Sequence, residues 1–296
     1  EPNGALSYDE FSLELALMFA ESGNFFHIGP MAMAGLDAPI TLAGTLVMQS
    51  AYNLIANVIA HLWNVPGGWS AAAHTVDMRS TMCLFGSPNQ VLLGWAGVQI
   101  ANWYGFETGA NCALTDACVP DFQGGFEKGM SALAMLLAGG GFGSQGIVGA
   151  DQGTSFEQLV IDNEWADAIE HIFTRGVEVN DETLGVEAIK RAGILGSFFE
   201  DAHTLRHMRG TQWPSTLFNY ERWDTWMAKG GKDINARAHE RVQEILARHH
   251  PPVLLVSVFG VARRDARLDV QRGAEHDRLD TAERGFTRAV LLFFGC

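Results

Sequence analysis

Apolar positions recur at helical spacing along most of this chain, separated by short apolar runs that end in glycine, proline and small polar residues. Phe11, Leu15, Met18 and Phe19 follow a capping-box pattern at Ser7 to Glu10, which predicts a helix that Gly23 stops. The run at 24–28 predicts a strand leading into a turn-rich loop from Gly29 to Gly35. The unit then repeats in kind. A helix over 41–63 ends at Val65-Pro66-Gly67-Gly68, and a strand over 69–74 runs into a polar loop holding Asp77 and Arg79. A helix over 87–103 is introduced by Ser87-Pro88, a strand follows at 105–115, and a helix at 121–137 stops at Gly139 to Gly141. A fourth strand at 142–149 precedes a capped helix from Ser155 to Arg175, closed by Gly176. Strands alternating with helices at this spacing predict parallel βαβ units and an α/β class.

From Asn180 the pattern turns helical throughout. Asn180 is placed to cap a helix over 181–191, and 233–249 is amphipathic with basic residues at its end, where the helix dipole favours them. A polar, aromatic stretch from His203 to Trp226 lies between. The expected organisation is therefore an α/β unit over 1–178, a helical cap over 179–250 and an atypical tail over 251–296. The tail holds seven Arg and six acidic residues and no Lys, against 13 basic and 28 acidic residues before it. Such a shift marks a boundary. Pro251-Pro252 reads as a linker into a small element with a strand at 253–259, or as the start of a segment of different origin.

Composition narrows the function class. With 296 residues and 47% apolar content the chain can bury a sizeable core. A net charge of −14 argues against nucleic acid and anionic membrane surfaces, which recruit basic patches. Cys83, Cys112, Cys118 and Cys296 form no CxxC pair, which suits free thiols in a reducing cytoplasm. The start carries no basic n-region or apolar h-region, and runs such as 132–138 are short for a bilayer. The chain also begins without Met, as a fragment or a truncated gene product would.

The richest stretch is Gly105 to Lys128, a predicted strand that opens into a loop carrying Asn111, Thr115, Asp116 and Asp121. Loops after barrel strands are where active sites collect. Thr115-Asp116, Asp121-x-Gln123 and Phe126-Glu127-Lys128 resemble the TD…DxQ…[YF]EK signature of the trimethylamine methyltransferase family. Gly29-Pro30-Met31-Ala32-Met33-Ala34-Gly35 with Ala38-Pro39-Ile40-Thr41-Leu42-Ala43-Gly44 is similar to that family's P-x-x-MAG-x-x-APVTLAG segment. Asp77-Met78-Arg79 with Phe85-Gly86-Ser87-Pro88, Phe156 to Asp162, His203 to His207 and Gly230 to Asp233 share the likeness. It extends in order over roughly residues 1–250, which is more specific than any one motif.

The resemblance implies a TIM-type barrel, of which four predicted strands supply half, so the chain looks like the C-terminal half of such an enzyme. A half barrel exposes strand edges and apolar interior, and should pair with itself, pair with the missing half, or fold poorly. Trimethylamine methyltransferases proper carry pyrrolysine, expected here near Thr108 to Cys112, where ordinary residues stand. The chain thus resembles the pyrrolysine-free members, which include glycine betaine methyltransferases. The implied reaction moves a methyl group from a small quaternary or tertiary methylamine, glycine betaine favoured, to Co(I) of a corrinoid (cobalamin) carried by a separate corrinoid protein. A homo-oligomer is compatible with this reading.

A quaternary ammonium has no N–H to donate, so aromatic faces, shape and carboxylates must recognise it. The predicted strand ends offer Phe26 and His27, Trp69 and His74, Asn111, Thr115, Asp116 and Asp121, and Gln145, with Asp116 and His74 nearest the chemistry. A cobalt(I) nucleophile needs no general base, so the protein's task is positioning and desolvation. Bland alternatives stand beside these. Asp121 suits an N-cap, Asp77 and Arg79 suit a local pair, and Trp63, Trp95 and Trp103 sit at core spacing. Gly141-x-Gly143-x-x-Gly146 matches a dinucleotide fingerprint in the wrong context, since it leaves a helix and enters a strand. His74, Cys112 and Cys118 could hold zinc, but the cysteine spacing is not a ligand signature. Two rival functions are a non-catalytic module binding a betaine-like cation and a non-functional truncated fragment.

Overall fold

A computed structural model describes residues 4–22, 29–141 and 143–250. The predicted strand at 24–28, with Phe26 and His27, and the tail at 251–296 lie outside the described residues.

Helix positions follow their capping residues. α1 (Glu10–Glu21) is capped by Asp9, whose carboxylate accepts from the Ser12 N–H, so the cap lies two residues past Ser7. α2 (Leu42–Leu62) is capped by Thr41, α3 (Pro88–Trp103) by Ser87 and α4 (Phe122–Leu137) by Asp121. α5 (Phe156–Arg175) is capped by Ser155 and ends at Gly176, whose φ of 58° suits a residue without a Cβ. Four shorter or later helices follow: α6 (Val186–Ala192), α7 (Ala202–Thr211), α8 (Trp223–Ala228) and α9 (Ile234–Arg248). Asn180 caps the turn before α6, accepting from the Thr183 N–H, so the predicted helix at 181–191 begins later than expected.

Strand content is small. β1 (Met33–Ala34) pairs in parallel with β2 (His74–Val76), and β2 pairs antiparallel with β3 (Cys83–Leu84). β4 (Ile147–Val148) and β5 (Gly153–Thr154) form a separate antiparallel ladder. β1, α2 and β2 make one βαβ unit, and the chain is mixed α/β. The barrel expectation is not met as drawn: β1 falls in the segment read as a loop, 105–115 carries no strand, and 142–149 contributes only β4.

The segment at 105–115 reads as apolar enough for a strand, yet several of its backbone groups find partners outside any ladder. Asn111 O accepts from Gln90 Nε2 at 3.0 Å, the Ala113 N–H donates to Ser131 Oγ at 2.9 Å, and Ala113 O accepts from Lys128 Nζ at 2.8 Å. Thr115 O and Ala117 O accept from the Ala150 and Gly149 N–H groups. Every such bond replaces one that a neighbouring strand would have made.

Two apolar clusters flank this segment. Ala71, Val98, Cys112 and Met135 pack between α3, α4 and the run before β2, where Gly97 lets the backbones approach: a Cβ there would sit 2.9 Å from that of Ala71. Ala113, Ala132, Ile161, Trp165, Ile169, Leu217 and Ala238 join α4, α5 and α9 on the other side. By length and composition α2 could cross a bilayer, contrary to the sequence expectation. In the fold it buries Gln49, Tyr52 and Asn53, whose side chains hold the segments at Pro30 and Ser70 and the start of the chain.

Candidate functional site

The start of β2, the turn after β3 and the loop before α4 bring one polar cluster together. His74 is fully buried. Its Nδ1 lies 3.4 Å from Leu84 O and its Nε2 lies 3.1 Å from Asn111 Nδ2, while its ring packs 4.5 Å from that of Phe85. A carbonyl on one side can only accept, so Nδ1 carries the proton and Nε2 accepts from Asn111. Burial pushes the His74 pKa down to about 4, against a smaller upward pull from the Leu84 carbonyl, so the ring is neutral near pH 7. Gln90 orders the next turn of this network by donating to Asn111 O.

Asp116 is half-buried and accepts from the N–H groups of Phe85 at 2.9 Å and Gly86 at 3.1 Å. Burial raises its pKa, the two backbone donors oppose that, and the neighbouring Glu127 charge adds to the rise. Thr115 is buried and donates to Glu127 Oε2 at 2.5 Å, and the Asp116 N–H meets the same oxygen at 2.9 Å. Gln123 Nε2 holds the other oxygen of Glu127 at 2.9 Å.

The expected site residues divide accordingly. His74, Asn111, Thr115 and Asp116 come together. Asp121 is exposed and its carboxylate caps α4, accepting from the Gly124 N–H at 3.0 Å, as the capping alternative expects. Trp69 lies outside the cluster: it stacks on Tyr104 at 4.9 Å and lies 5.7 Å from Phe106, in an aromatic group at the opposite end of the run that leads to His74. Gln145 is buried in the loop before β4. Asp77 accepts from Ser80 Oγ at 2.7 Å and from the Arg79 backbone N–H, bonds that hold its pKa down with a smaller pull from the Arg79 charge.

Sequence reasoning missed three members. Glu127 has just been described. Lys128 and Asp162 form an ion pair at 2.9 Å with both side chains fully buried. Lys128 also donates to Ala113 O, and Asp162 accepts from the Gly146 N–H, Gln158 Nε2 and Trp165 Nε1. The pair pins the loop before α4 from below. Both residues stand in the Phe126-Glu127-Lys128 and Phe156-to-Asp162 motifs, on helix faces that bury polar side chains beside apolar ones.

Gly86 is a point of close approach. A Cβ there would fall 2.2 Å from Glu127 Oε2, and Glu127 is held by its three hydrogen bonds. Gly86→Ala is expected to displace that carboxylate and to cost about 1–3 kcal/mol. An unchanged denaturant midpoint would mean that the Glu127 side chain swings away freely.

The family model described as trimethylamine methyltransferase (MTTB) matches residues 2–258. A glycine betaine methyltransferase of Desulfitobacterium hafniense (strain Y51) is 32% identical over 277 residues, covering 91% of this chain and 56% of that relative. The trimethylamine methyltransferase MttB of Methanosarcina barkeri is 32% identical over 265 residues, covering 87% of this chain and 52% of its own length. The chain thus spans about half the length of the curated relatives it matches. Matched over most of its length by that model and by such relatives, the chain belongs to the trimethylamine methyltransferase family.

Proposed function

We propose that this chain provides part of the site at which a methyltransferase removes a methyl group from a small quaternary or tertiary methylamine, glycine betaine favoured, and passes it to a corrinoid carried by a separate protein. The observation that carries the proposal is the family match over residues 2–258, with relatives named for glycine betaine and for trimethylamine. The polar cluster supports it chemically. Carboxylates at Asp116 and Glu127 favour a cation, and neutral His74 and Asn111 offer shape and polarity without a competing positive charge.

Methyl transfer from an ammonium moves no proton. The C–N bond would break with its electron pair leaving on nitrogen, and a corrinoid carried by the partner protein would supply the electron pair that takes up the methyl group. Both ring nitrogens of His74 are already engaged, which leaves it a fixed neutral support behind Asn111 and Phe85 and not a base. The Asp116 carboxylate faces the cation, while the buried ring and the adjoining Phe85 keep water from it.

A thermal melt tests binding. Glycine betaine at about a hundredfold excess over its dissociation constant should stabilise the folded chain by about 2.7 kcal/mol. A midpoint that moves with neither glycine betaine nor trimethylamine would sink the proposal for this chain. A shift without methylcobalamin formation from reduced cobalamin would leave binding and remove transfer.

A further inference from the structure

Glu127 belongs to the scaffold by position, on the first turns of α4, yet its carboxylate reaches back to the loop that carries Asp116. One oxygen takes the Thr115 hydroxyl and the Asp116 N–H, the other takes Gln123 Nε2, and the side chain lies against the bare Cα of Gly86. Asp116 in turn takes the N–H groups of Phe85 and Gly86. Two loops from different parts of the chain are therefore tied crosswise, each carboxylate holding the backbone next to the other.

We propose that Glu127 is a positioning residue of the candidate site, fixing the Thr115–Asp116 peptide so that the Asp116 carboxylate is presented as the anionic wall for a methylated ammonium. This rests on the methylamine reading given above and adds a residue to it. Each carboxylate oxygen has lone pairs beyond those taken by the backbone, so Asp116 can be held by Phe85 and Gly86 and still face a cation. Charge-assisted bonds from backbone N–H groups give the tie its stiffness. The groups that face Asp116 with charge or a titrating proton are Glu127 from α4 and Cys83 from β3, with Asp151 from the turn between β4 and β5 acting on Cys83. Burial and the nearby carboxylates push the Cys83 thiol up to about 11, so it is neutral near pH 7, and Glu127 is the charge beside Asp116 that a bound cation would offset.

The experiment is Glu127→Gln in the full chain, read in three ways: the titration of Asp116 by NMR, hydrogen exchange of the Phe85 and Gly86 amides, and calorimetric binding of tetramethylammonium. Glutamine keeps the size and one acceptor but removes the charge. The Asp116 titration should move to lower pH because a repelling charge is gone, the two amides should exchange faster, and tetramethylammonium should bind about tenfold more weakly. An unmoved titration with unchanged amide exchange would overturn the inference whether or not any cation binds. Faster exchange and a moved titration with undiminished cation binding would overturn it as well, because Glu127 would then be structural alone. If the parent chain binds no tetramethylammonium, the methylamine reading fails for this chain, while the titration and exchange still decide whether Glu127 positions Asp116. Gly86→Ala in the Glu127→Gln background gives an independent check, since a shared contact predicts less than additive losses.

Discussion

Asp162→Ala should lower stability by about 3–5 kcal/mol, read as a fall in denaturant midpoint. The carboxylate it removes takes four donors: Lys128 Nζ at 2.9 Å, Gln158 Nε2 at 2.6 Å, Trp165 Nε1 at 2.8 Å and the Gly146 N–H at 2.7 Å. The Lys128 ammonium would then sit fully buried with the Ala113 carbonyl as its nearest acceptor, a charge without a counter-charge. The pH dependence supplies a second signature. Burial already holds the Lys128 pKa below the usual lysine value, and Asp162 pulls it back up. Removing Asp162 lowers the folded value further, so between that value and the ordinary one the unfolded chain binds the extra proton. Stability of the variant should therefore rise with pH toward about 10, more steeply than in the parent. A parallel pH dependence in the two proteins would mean that water reaches Lys128. The double variant Lys128→Met with Asp162→Leu should recover much of the loss, because it removes both charges together.

Glu164→Ala should have the next largest effect, about 3 kcal/mol, since charge-assisted bonds contribute about 1.5–3 kcal/mol each and do not add fully. Glu164 lies on α5 and gathers the 215–217 segment onto the helix: Thr216 donates through its N–H and its hydroxyl, both at 2.7 Å, Leu217 through its N–H at 3.0 Å, and Ser215 through its hydroxyl. Burial by itself would raise the Glu164 pKa, but the bonds from Ser215, Leu217 and Thr216 outweigh it and hold the value below the usual one. A depressed carboxylate pKa contributes fully above the unfolded value, near about 4.3, and the contribution is lost as pH falls through the folded value. The parent should lose stability on acidification through that window, and the variant should lose less. Hydrogen exchange at Thr216 and Leu217 gives the local readout. Protection that survives the substitution would show that Leu217, packed beside Trp165, is held by burial alone.

How much of this was legible in the sequence depended on whether a signal was local. Ser87, Asp121 and Ser155, read as caps in the sequence, each bond an N–H three residues on, as do Thr41 and Asp233 at the starts of their helices, whereas the cap expected at Ser7 falls at Asp9. Strands carry no such mark. The segment at 105–115 had strand-like content, but Gln90, Ser131 and Lys128 from α3 and α4 supply its partners, and no neighbouring residue reveals that. The site shows the same division. His74, Asn111, Thr115 and Asp116 were readable as polar residues at loop positions, whereas Trp69 looked equally suitable and turned out to stack on Tyr104. Glu127 and Lys128 stood inside a quoted motif, yet helix residues next to apolar ones read as scaffold until their long-range partners are seen.

The borrowed hydrogen bonds of 105–115 also bear on the order of assembly. A strand can settle once its neighbour is in place, but this segment can settle only after α3 and α4 have both docked, since their side chains complete its backbone. Its partners lie 21, 18 and 15 residues away, so the loops that must close are short and the segment is fixed once the two helices beside it dock. The loop carrying Asp116 should then share the opening of the α3–α4 pair, with amide exchange that tracks theirs.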